Sequence, residues 1–240
     1  MQDAHAVKYY LKETIQTEQG TITKETKITY AQDWKNYNKA QCNEIKLFDE
    51  LLKDLVQNIP EPSYIFGRPR LSLRETVFCT VQKVYSQLSS RRVHSLYRNS
   101  VEKDMIRKAP HFNAVSKLLN KTELTPILHE LIAITAKPLS SIENDFGVDS
   151  SGFRTRSFGQ YVEYRFNLKR QHKWLKPHLA VGLKTNIVTA VIIGDENSGD
   201  SPQFKPLLEA TARNFSIKTA VADKAYLSKA NYQLVSDLGG

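Results

Sequence analysis

The stretch FGVDSSGF, residues 146–153, decides the fold: it runs from apolar to small polar residues, and Asp149 stands at the change. A short apolar run that ends in Asp, Ser and Gly is typical of a buried strand followed by a turn. Asp is common in turns, so Asp149 is either an ordinary turn residue or the first member of a cation-binding pair. The stretch alone leaves both interpretations open.

Three further β-rich runs follow this strand: PHLAVGL (177–183), NIVTAVIIG (186–194) and IKTAVAD (217–223). The first two are joined by a short turn and predict a hairpin. A helix from Asp200 to Asn214 precedes the last run, so the chain must cross over, which predicts a mixed α/β sheet. If the last run lies parallel beside the first, Asp149 and Asp223 end neighbouring strands, about 5 Å apart.

The first 138 residues are predicted to be mainly helical. Residues 1–32 have weak periodicity and indicate a loosely attached arm, and residues 33–58 predict one amphipathic helix. Ser72 and Glu75 form an S-x-x-E capping box at the start of another helix. We therefore expect an N-terminal arm and helix (1–66), a helical, helix-turn-helix-like region (67–140) and the first part of an α/β core (141–240).

Composition favours a polyanionic partner over a small neutral ligand. The 240 residues contain 34 Lys and Arg against 25 Asp and Glu, a net charge of +9. The two cysteines form no CxxC pair, which argues against a disulfide framework or a cysteine zinc site. With no apolar run of about 18 residues, we expect a cytoplasmic protein without a membrane partner.

Basic residues are concentrated in two segments. Residues 67–121 hold 12 Lys and Arg against 3 acids, and residues 153–184 hold 8 against 1. Such segments are either solvated faces or contacts to a DNA backbone, and the sequence favours DNA. The candidate DNA-binding residues are Arg68, Arg70, Arg91, Arg92, Arg98, Arg154, Arg156, Lys169, Arg170 and Lys224.

Several of these basic residues lie in patterns with two interpretations. Gly-Arg-Pro-Arg at 67–70 resembles a minor-groove hook, although a turn explains it equally well. Residues 89–101 and 110–119 are candidates for a helix-turn-helix pair, with Arg91, Arg92 and Arg98 on phosphates. Residues 160–176 alternate aromatic and basic side chains, which indicates either a DNA platform or a half-buried strand. Lys224 either neutralises a phosphate or is simply solvated.

Two carboxylates at one sheet edge suit a hard divalent cation. Mg²⁺ prefers oxygen ligands and commonly takes one or two carboxylates together with phosphate oxygens of the substrate. Paired ions of this kind activate a water or hydroxyl and stabilise the leaving oxygen of a phosphodiester. Asp149 and Asp223 are therefore our candidate catalytic and metal-binding residues.

Four segments resemble the catalytic core of DDE transposases of prokaryotic insertion sequences: FGVDSSGF, HLAVGL, GDSPQFKPLLEATARNF and TAVADKAY. The resemblance covers roughly residues 67–240 and implies an RNase H-like fold preceded by an α-helical DNA-binding region. It makes Asp149 and Asp223 the first two members of an Asp-Asp-Glu triad, with Ala225 where the family often has Gly. It also implies Mg²⁺ as the cofactor, with Mn²⁺ as a substitute. The implied partner is double-stranded DNA, at both the transposon ends and the target. The resemblance further implies a cytoplasmic protein associated with the nucleoid that binds DNA as a homodimer.

The third acid of that triad has no counterpart in the sequence. The family places it on a helix beyond a further strand, so we expect a C-terminally truncated core and a chain inactive by itself. Asp195 and Glu196 follow a strand two positions from the first, about 10 Å away, which is too far for direct ligation. Asp200 is interpreted as the N-cap of its helix, with an indirect role at the site as the alternative.

Three functions remain open at this point. The first is a DDE transposase, or its N-terminal part, that cleaves and joins transposon-end DNA. The second is a catalytically inactive DNA-binding remnant of a truncated element, which differs only in the missing acid. The third is a general RNase H-like nuclease, which the long helical region before the core disfavours.

Overall fold

The structure is a computed structural model, and it describes residues 9–17, 20–28, 33–63, 66–67, 71–154, 164–167 and 174–240. The chain divides into two compact units, Met1–Phe48 and Asp49–Gly240. The predicted boundaries at residues 67 and 141 both lie inside the second unit. The candidate site also lies in the second unit.

The first unit contains a β-hairpin where weak periodicity indicated only an arm. Strands β1 (Tyr9–Thr17) and β2 (Gly20–Ile28) pair antiparallel from Tyr9 opposite Ile28 to Thr17 opposite Gly20. Both strands are rich in Thr and Ile, which favour extended backbone and were the signal that the sequence offered.

The single helix predicted over residues 33–58 is wrong, because two helices occupy this range: α1 (Trp34–Cys42) and α2 (Glu44–Val56). They are separated by Asn43, whose side chain donates to the carbonyl of Lys39 at 2.8 Å. An Asn side chain competes for backbone hydrogen bonds in this way, so it ends a helix more readily than it continues one.

In the described part of residues 67–140, four further helices precede the sheet, in agreement with the predicted helical region: α3 (Leu73–Ser86), α4 (His94–Glu102), α5 (Phe112–Leu119) and α6 (Leu124–Ala136). The Ser72 side chain caps α3 by accepting from the Glu75 N–H at 3.2 Å. The Glu75 carboxylate does not complete the predicted capping box, since it accepts from Arg107 Nε at 2.9 Å. The cap of α3 therefore consists of the Ser72 side chain without the reciprocal bond from Glu75.

The predicted mixed sheet is confirmed, with five strands among the described residues: β3 (Asp145–Ser150), β4 (Phe153–Arg154), β5 (Trp174–Gly182), β6 (Val188–Asp195) and β7 (Thr219–Ala222). β5 and β6 form the predicted hairpin, and β5 pairs antiparallel with β3. β4 continues the pairing of β3 along the same edge of β5, in the same register. β7 lies parallel to β3 on its other side.

The crossover between β6 and β7 is helix α7 (Ser201–Ala212), and helix α8 (Lys229–Asp237) follows β7. Side chains of α7 pack against the sheet face that carries Phe146, Val148 and Ala180. Because strand side chains alternate, this leaves Gly147 and Asp149 on the opposite face of β3. The core therefore positions the end of β3 without enclosing Asp149.

No helix among the described residues is both long enough and apolar enough to cross a membrane.

Candidate metal centre at the ends of two parallel strands

Asp149 and Asp223 lie side by side in the sheet register. β3 and β7 pair in parallel from Asp145 opposite Thr219 to Val148 opposite Ala222. The next residue after this pairing is an aspartate in both segments: Asp149 within β3 and Asp223 directly after β7. Neighbouring strands lie about 5 Å apart, so the predicted placement of both residues at one end of two adjacent strands is confirmed.

The Asp149 side chain is exposed although the strand that carries it is buried. Phe146 is 0% exposed and Val148 is 2% exposed, whereas Asp149 follows on the outer face. Its Oδ1 accepts a hydrogen bond from the Ser150 N–H at 2.7 Å, and this local bond orients the carboxylate. A carboxylate oxygen can accept from an N–H and still bind a cation through its other lone pairs.

Asp223 is held by the turn that follows it. Its backbone is extended, and its Oδ1 accepts from the Ala225 N–H at 2.8 Å, which caps a 3₁₀ turn over Lys224–Tyr226. The side chain is exposed. The segment TAVADKAY thus ends a strand, presents a carboxylate and returns into the core at Tyr226.

The chemistry of these donors fits a hard divalent cation. Two exposed carboxylates end neighbouring strands, and such oxygens are the ligands that Mg²⁺ and Mn²⁺ accept. Within the described part of the chain, no three His, Cys, Asp or Glu residues lie close enough together to form a metal site. The two aspartates are therefore an open pair, with room for ligands from water or substrate.

Asp195 and Glu196 lie where the sequence placed them, away from this pair. Asp195 ends β6 and Glu196 follows it, and β6 is separated from β3 by β5. They therefore do not complete the metal site.

The interpretation of Asp200 as a helix cap is wrong. It occupies the N-cap position of α7, but its side chain accepts no hydrogen bond from the first turn of that helix. Instead, its Oδ1 lies 2.7 Å from Lys176 Nζ and 3.4 Å from His178 Nδ1. The lysine on β5 competes successfully for the carboxylate, because a partly buried charge is stabilised more by an opposite charge than by a backbone N–H.

Sequence analysis missed a polar cluster beneath the two aspartates, formed by Ser150, Lys176, His178, Asp200 and Tyr226. His178 is 0% exposed and Tyr226 is 2% exposed, and His178 Nδ1 lies 3.1 Å from the Tyr226 hydroxyl. Ser150 lies opposite His178 in the β3–β5 register, on the same face of the sheet. Lys176 and His178 share one face of β5, and this alternation was the signal available in the sequence.

Electrostatics link the polar cluster to both aspartates. Burial raises the pKa of Tyr226 to about 12, and the charges of Asp200, Asp149 and Asp223 add to this effect while Ser150 opposes it. Burial also raises the pKa of Asp200, but hydrogen bonds from Lys176 and Ser150 outweigh burial and bring it below its ordinary value. Burial lowers the pKa of His178 despite the nearby Asp200 carboxylate, so the imidazole is neutral at pH 7.

Half of the candidate DNA-binding residues can be located. The side chains of Arg91, Arg92, Arg98, Arg154 and Lys224 are all exposed. Lys224 directly follows Asp223 in the chain, and Arg154 lies on β4 with its guanidinium 5.2 Å from the centre of the Trp174 ring. The remaining candidates lie outside the described residues: Arg68, Arg70, Arg156, Lys169 and Arg170.

The proposed helix-turn-helix pair does not have the expected spacing. Residues 103–111 separate α4 from α5, which is longer than the three or four residues of that motif. A connection of four residues, 120–123, instead joins α5 to α6. The basic residues around α4 therefore remain candidates for phosphate contacts without a recognition helix assigned.

Comparison with known proteins identifies the part of the chain that carries this site. Searches of curated proteins and of solved structures found no match to the chain. A family model described as Transposase DDE domain matches residues 143–240, a range that contains β3, β7 and both aspartates. This part of the chain is thus similar to transposase DDE domains, which indicates a function in DNA transposition.

Proposed function

We propose that this chain is a DDE transposase that binds transposon-end DNA and uses Asp149 and Asp223 to cleave and join phosphodiesters with Mg²⁺. The proposal combines the matched family with the geometry at the end of the sheet. The strand order, with β5 and β7 on either side of β3 and β6 beyond β5, supports the RNase H-like arrangement that the resemblance implies.

One observation carries the proposal: Asp149 and Asp223 are the first residues past the last paired position of two parallel strands. The carboxyl ends of parallel strands meet at one sheet edge, which is where ligands bind in α/β sheets. Two carboxylates fixed there by backbone pairing need little rearrangement to share a cation.

Bound Mg²⁺ would polarise a phosphoryl oxygen and lower the pKa of a coordinated water or 3′-hydroxyl. Asp149 and Asp223 would hold the ion, and their backbone hydrogen bonds from Ser150 and Ala225 orient the two carboxylates. The third carboxylate of the triad stays a prediction from the resemblance. With Mn²⁺ as a substitute metal, the same oxygen ligands would serve.

Basic side chains near the pair support DNA as the partner. Lys224 is exposed and directly follows Asp223, and Arg154 is exposed on β4 beside Trp174. These positions suit phosphate contacts on either side of the scissile bond. Arg91, Arg92 and Arg98 extend the basic surface in the helical region, and binding as a homodimer on paired ends is part of the proposal.

The test is nicking of a supercoiled plasmid that carries the DNA flanking the coding sequence. We expect the protein to nick this plasmid with Mg²⁺ or Mn²⁺, and not with EDTA, when a third carboxylate completes the pair of aspartates. Asp149→Asn and Asp223→Asn should each lower the rate by at least about a hundredfold, since either change removes a charge that holds the metal.

Asp145→Asn is the matched control, because Asp145 begins the same strand at its other end and pairs with Lys184 Nζ at 3.1 Å. This variant should nick at nearly the wild-type rate. Nicking that survives Asp149→Asn and Asp223→Asn unchanged would overturn the assignment of the site.

A second candidate function is DNA binding without cleavage. It is favoured by the observation that the described residues contain no cluster of three metal-ligating side chains. Under this alternative, the chain shifts flanking DNA in a gel and its affinity falls steeply with salt, yet no metal supports nicking. Asp149→Asn would then leave the affinity for DNA unchanged or increase it slightly, by removing a negative charge.

A further inference from the structure

The polar cluster of Ser150, Lys176, His178, Asp200 and Tyr226 plays no part in the chemistry described above. It brings together three strand residues, the residue before α7 and the 3₁₀ turn after β7. Asp200 Oδ1 lies 2.7 Å from Lys176 Nζ and 3.4 Å from His178 Nδ1. His178 Nδ1 in turn lies 3.1 Å from the Tyr226 hydroxyl. The cluster is therefore a connected set of polar contacts across the base of the site.

Polar groups at this depth are costly unless they are paired. His178 and Tyr226 are almost completely buried, and the Asp200 side chain is only 18% exposed. Replacing a buried ionic network with apolar side chains of similar volume is often neutral or stabilising, so stability alone does not explain such a network. Its geometry points to a role in holding neighbouring elements in one arrangement.

The cluster holds the residue next to Asp149. His178 lies opposite Ser150 in the β3–β5 register. The Ser150 side chain points to the core face of β3, the face of the sheet that also carries His178. Asp149 points to the other face, and its carboxylate accepts from the Ser150 N–H. Movement of Ser150 would therefore reorient the Asp149 carboxylate.

The cluster also holds the turn that carries Asp223. Tyr226 ends the 3₁₀ turn that Asp223 caps, and its hydroxyl contacts His178. The Tyr226 carbonyl accepts from Asn231 Nδ2 at 2.7 Å, and the same amide group donates to the Ser201 carbonyl at 3.2 Å. The start of α7, the turn and α8 are thus tied together beneath Asp223.

We infer that Asp200, His178 and Tyr226 are positioning residues that set the spacing and orientation of Asp149 and Asp223 for metal binding. The inference rests on the proposed function. One end of the polar cluster is fixed to the strand of Asp149 and the other to the turn of Asp223, so the cluster acts as a brace between the two ligands. Replacing a residue that orients a metal ligand in this way commonly weakens metal binding by about tenfold or more.

The test measures Mn²⁺ affinity of the full chain by the loss of the free Mn²⁺ electron paramagnetic resonance signal. Tyr226→Phe removes only the hydroxyl, and Asp200→Asn removes the charge while keeping the shape. We expect each variant to weaken Mn²⁺ binding by about tenfold. Nicking should recover at higher Mn²⁺, so the metal requirement rises while the rate at saturating metal changes by less than about threefold.

Tyr97→Phe is the matched control. Tyr97 lies on α4, outside the sheet, and its side chain is 0% exposed. Its hydroxyl has no hydrogen-bond partner among the described residues. It should leave Mn²⁺ affinity unchanged. A pair at His178 keeps the test informative if one substitution fails to fold: His178→Gln, which retains a hydrogen-bonding side chain, should bind Mn²⁺ more tightly than His178→Leu.

The outcomes separate the two proposals. If Asp149→Asn and Asp223→Asn abolish Mn²⁺ binding while the Tyr226 and Asp200 variants bind as the wild type does, the positioning role is wrong and the metal site stands. If the two aspartate variants bind Mn²⁺ as well as the wild type does, the proposed function itself fails. A change in thermal stability without a change in Mn²⁺ affinity also counts against positioning.

Discussion

The carboxylates at the two ends of strand β3 have opposite environments. Glu143, just before the strand, is 1% exposed and accepts from the N–H groups of Thr185 and Lys184 at 2.9 and 3.0 Å and from the Thr185 hydroxyl at 3.0 Å. Asp149, at the other end, is exposed and accepts from the adjacent Ser150 N–H.

This difference separates a structural acid from a candidate ligand. The fold already satisfies the Glu143 carboxylate with several donors from the β5–β6 turn, so the residue stabilises the sheet and has little capacity left for a cation. The fold presents Asp149 beside Asp223 with one local hydrogen bond each, which leaves lone pairs for a metal. Acidic residues at the two ends of one strand thus differ in function according to the donors that surround them.

The largest expected effect concerns stability. Glu143→Ala removes the acceptor for four partly buried donors, and we expect the free energy of unfolding to fall by about 3 kcal/mol. Asp149→Ala should change it by less than about 0.5 kcal/mol, because the residue is exposed. Urea unfolding followed by circular dichroism measures both. Equal destabilisation by the two variants would contradict the distinction between the two ends.

A somewhat smaller effect is expected at Gly182, which lies against Glu143. A Cβ at Gly182 would lie 2.5 Å from Glu143 Oε2, and the carboxylate cannot move away without losing its donors. We expect Gly182→Ala to lower the free energy of unfolding by about 2 kcal/mol. In a Glu143→Ala background the clash disappears, so the same substitution should cost much less. Additive costs in this double-mutant cycle would refute the contact.

The smallest effect is a pH dependence of stability. Burial raises the pKa of Glu143, but hydrogen bonds from Thr185, Asp145 and Lys184 outweigh burial and bring it below the ordinary value of 4.5. A carboxyl group whose pKa is lower in the folded chain than in the unfolded chain stabilises the fold when the pH is above its ordinary pKa. The contribution is lost as the pH falls through the folded pKa.

Wild-type protein should therefore lose more stability than Glu143→Gln on acidification from about pH 5 to pH 3. Thermal unfolding across this range measures the difference. Parallel stability curves for the two proteins would show that Glu143 does not contribute.

The sequence predicted the parts of the fold that depend on chain order. A helix between two apolar runs requires a crossover, and this argument placed Asp149 and Asp223 on adjacent parallel strands, as the structure confirms. Their catalytic role stays a prediction. The interpretation of Asp200 failed because a local cap preference was outweighed by Lys176, which only the folded sheet brings near. The contact between His178 and Tyr226 likewise depends on tertiary packing, and no local pattern reveals it.

The central claim is that Asp149 and Asp223 together bind a divalent cation. Anomalous X-ray diffraction from crystals grown or soaked with Mn²⁺ tests it most directly. The account predicts an anomalous peak within coordination distance of carboxylate oxygens from both residues, which disappears in crystals of Asp223→Asn. A Mn²⁺ peak bound elsewhere, with none between these two aspartates while both side chains are solvent-accessible in the crystal, would contradict it.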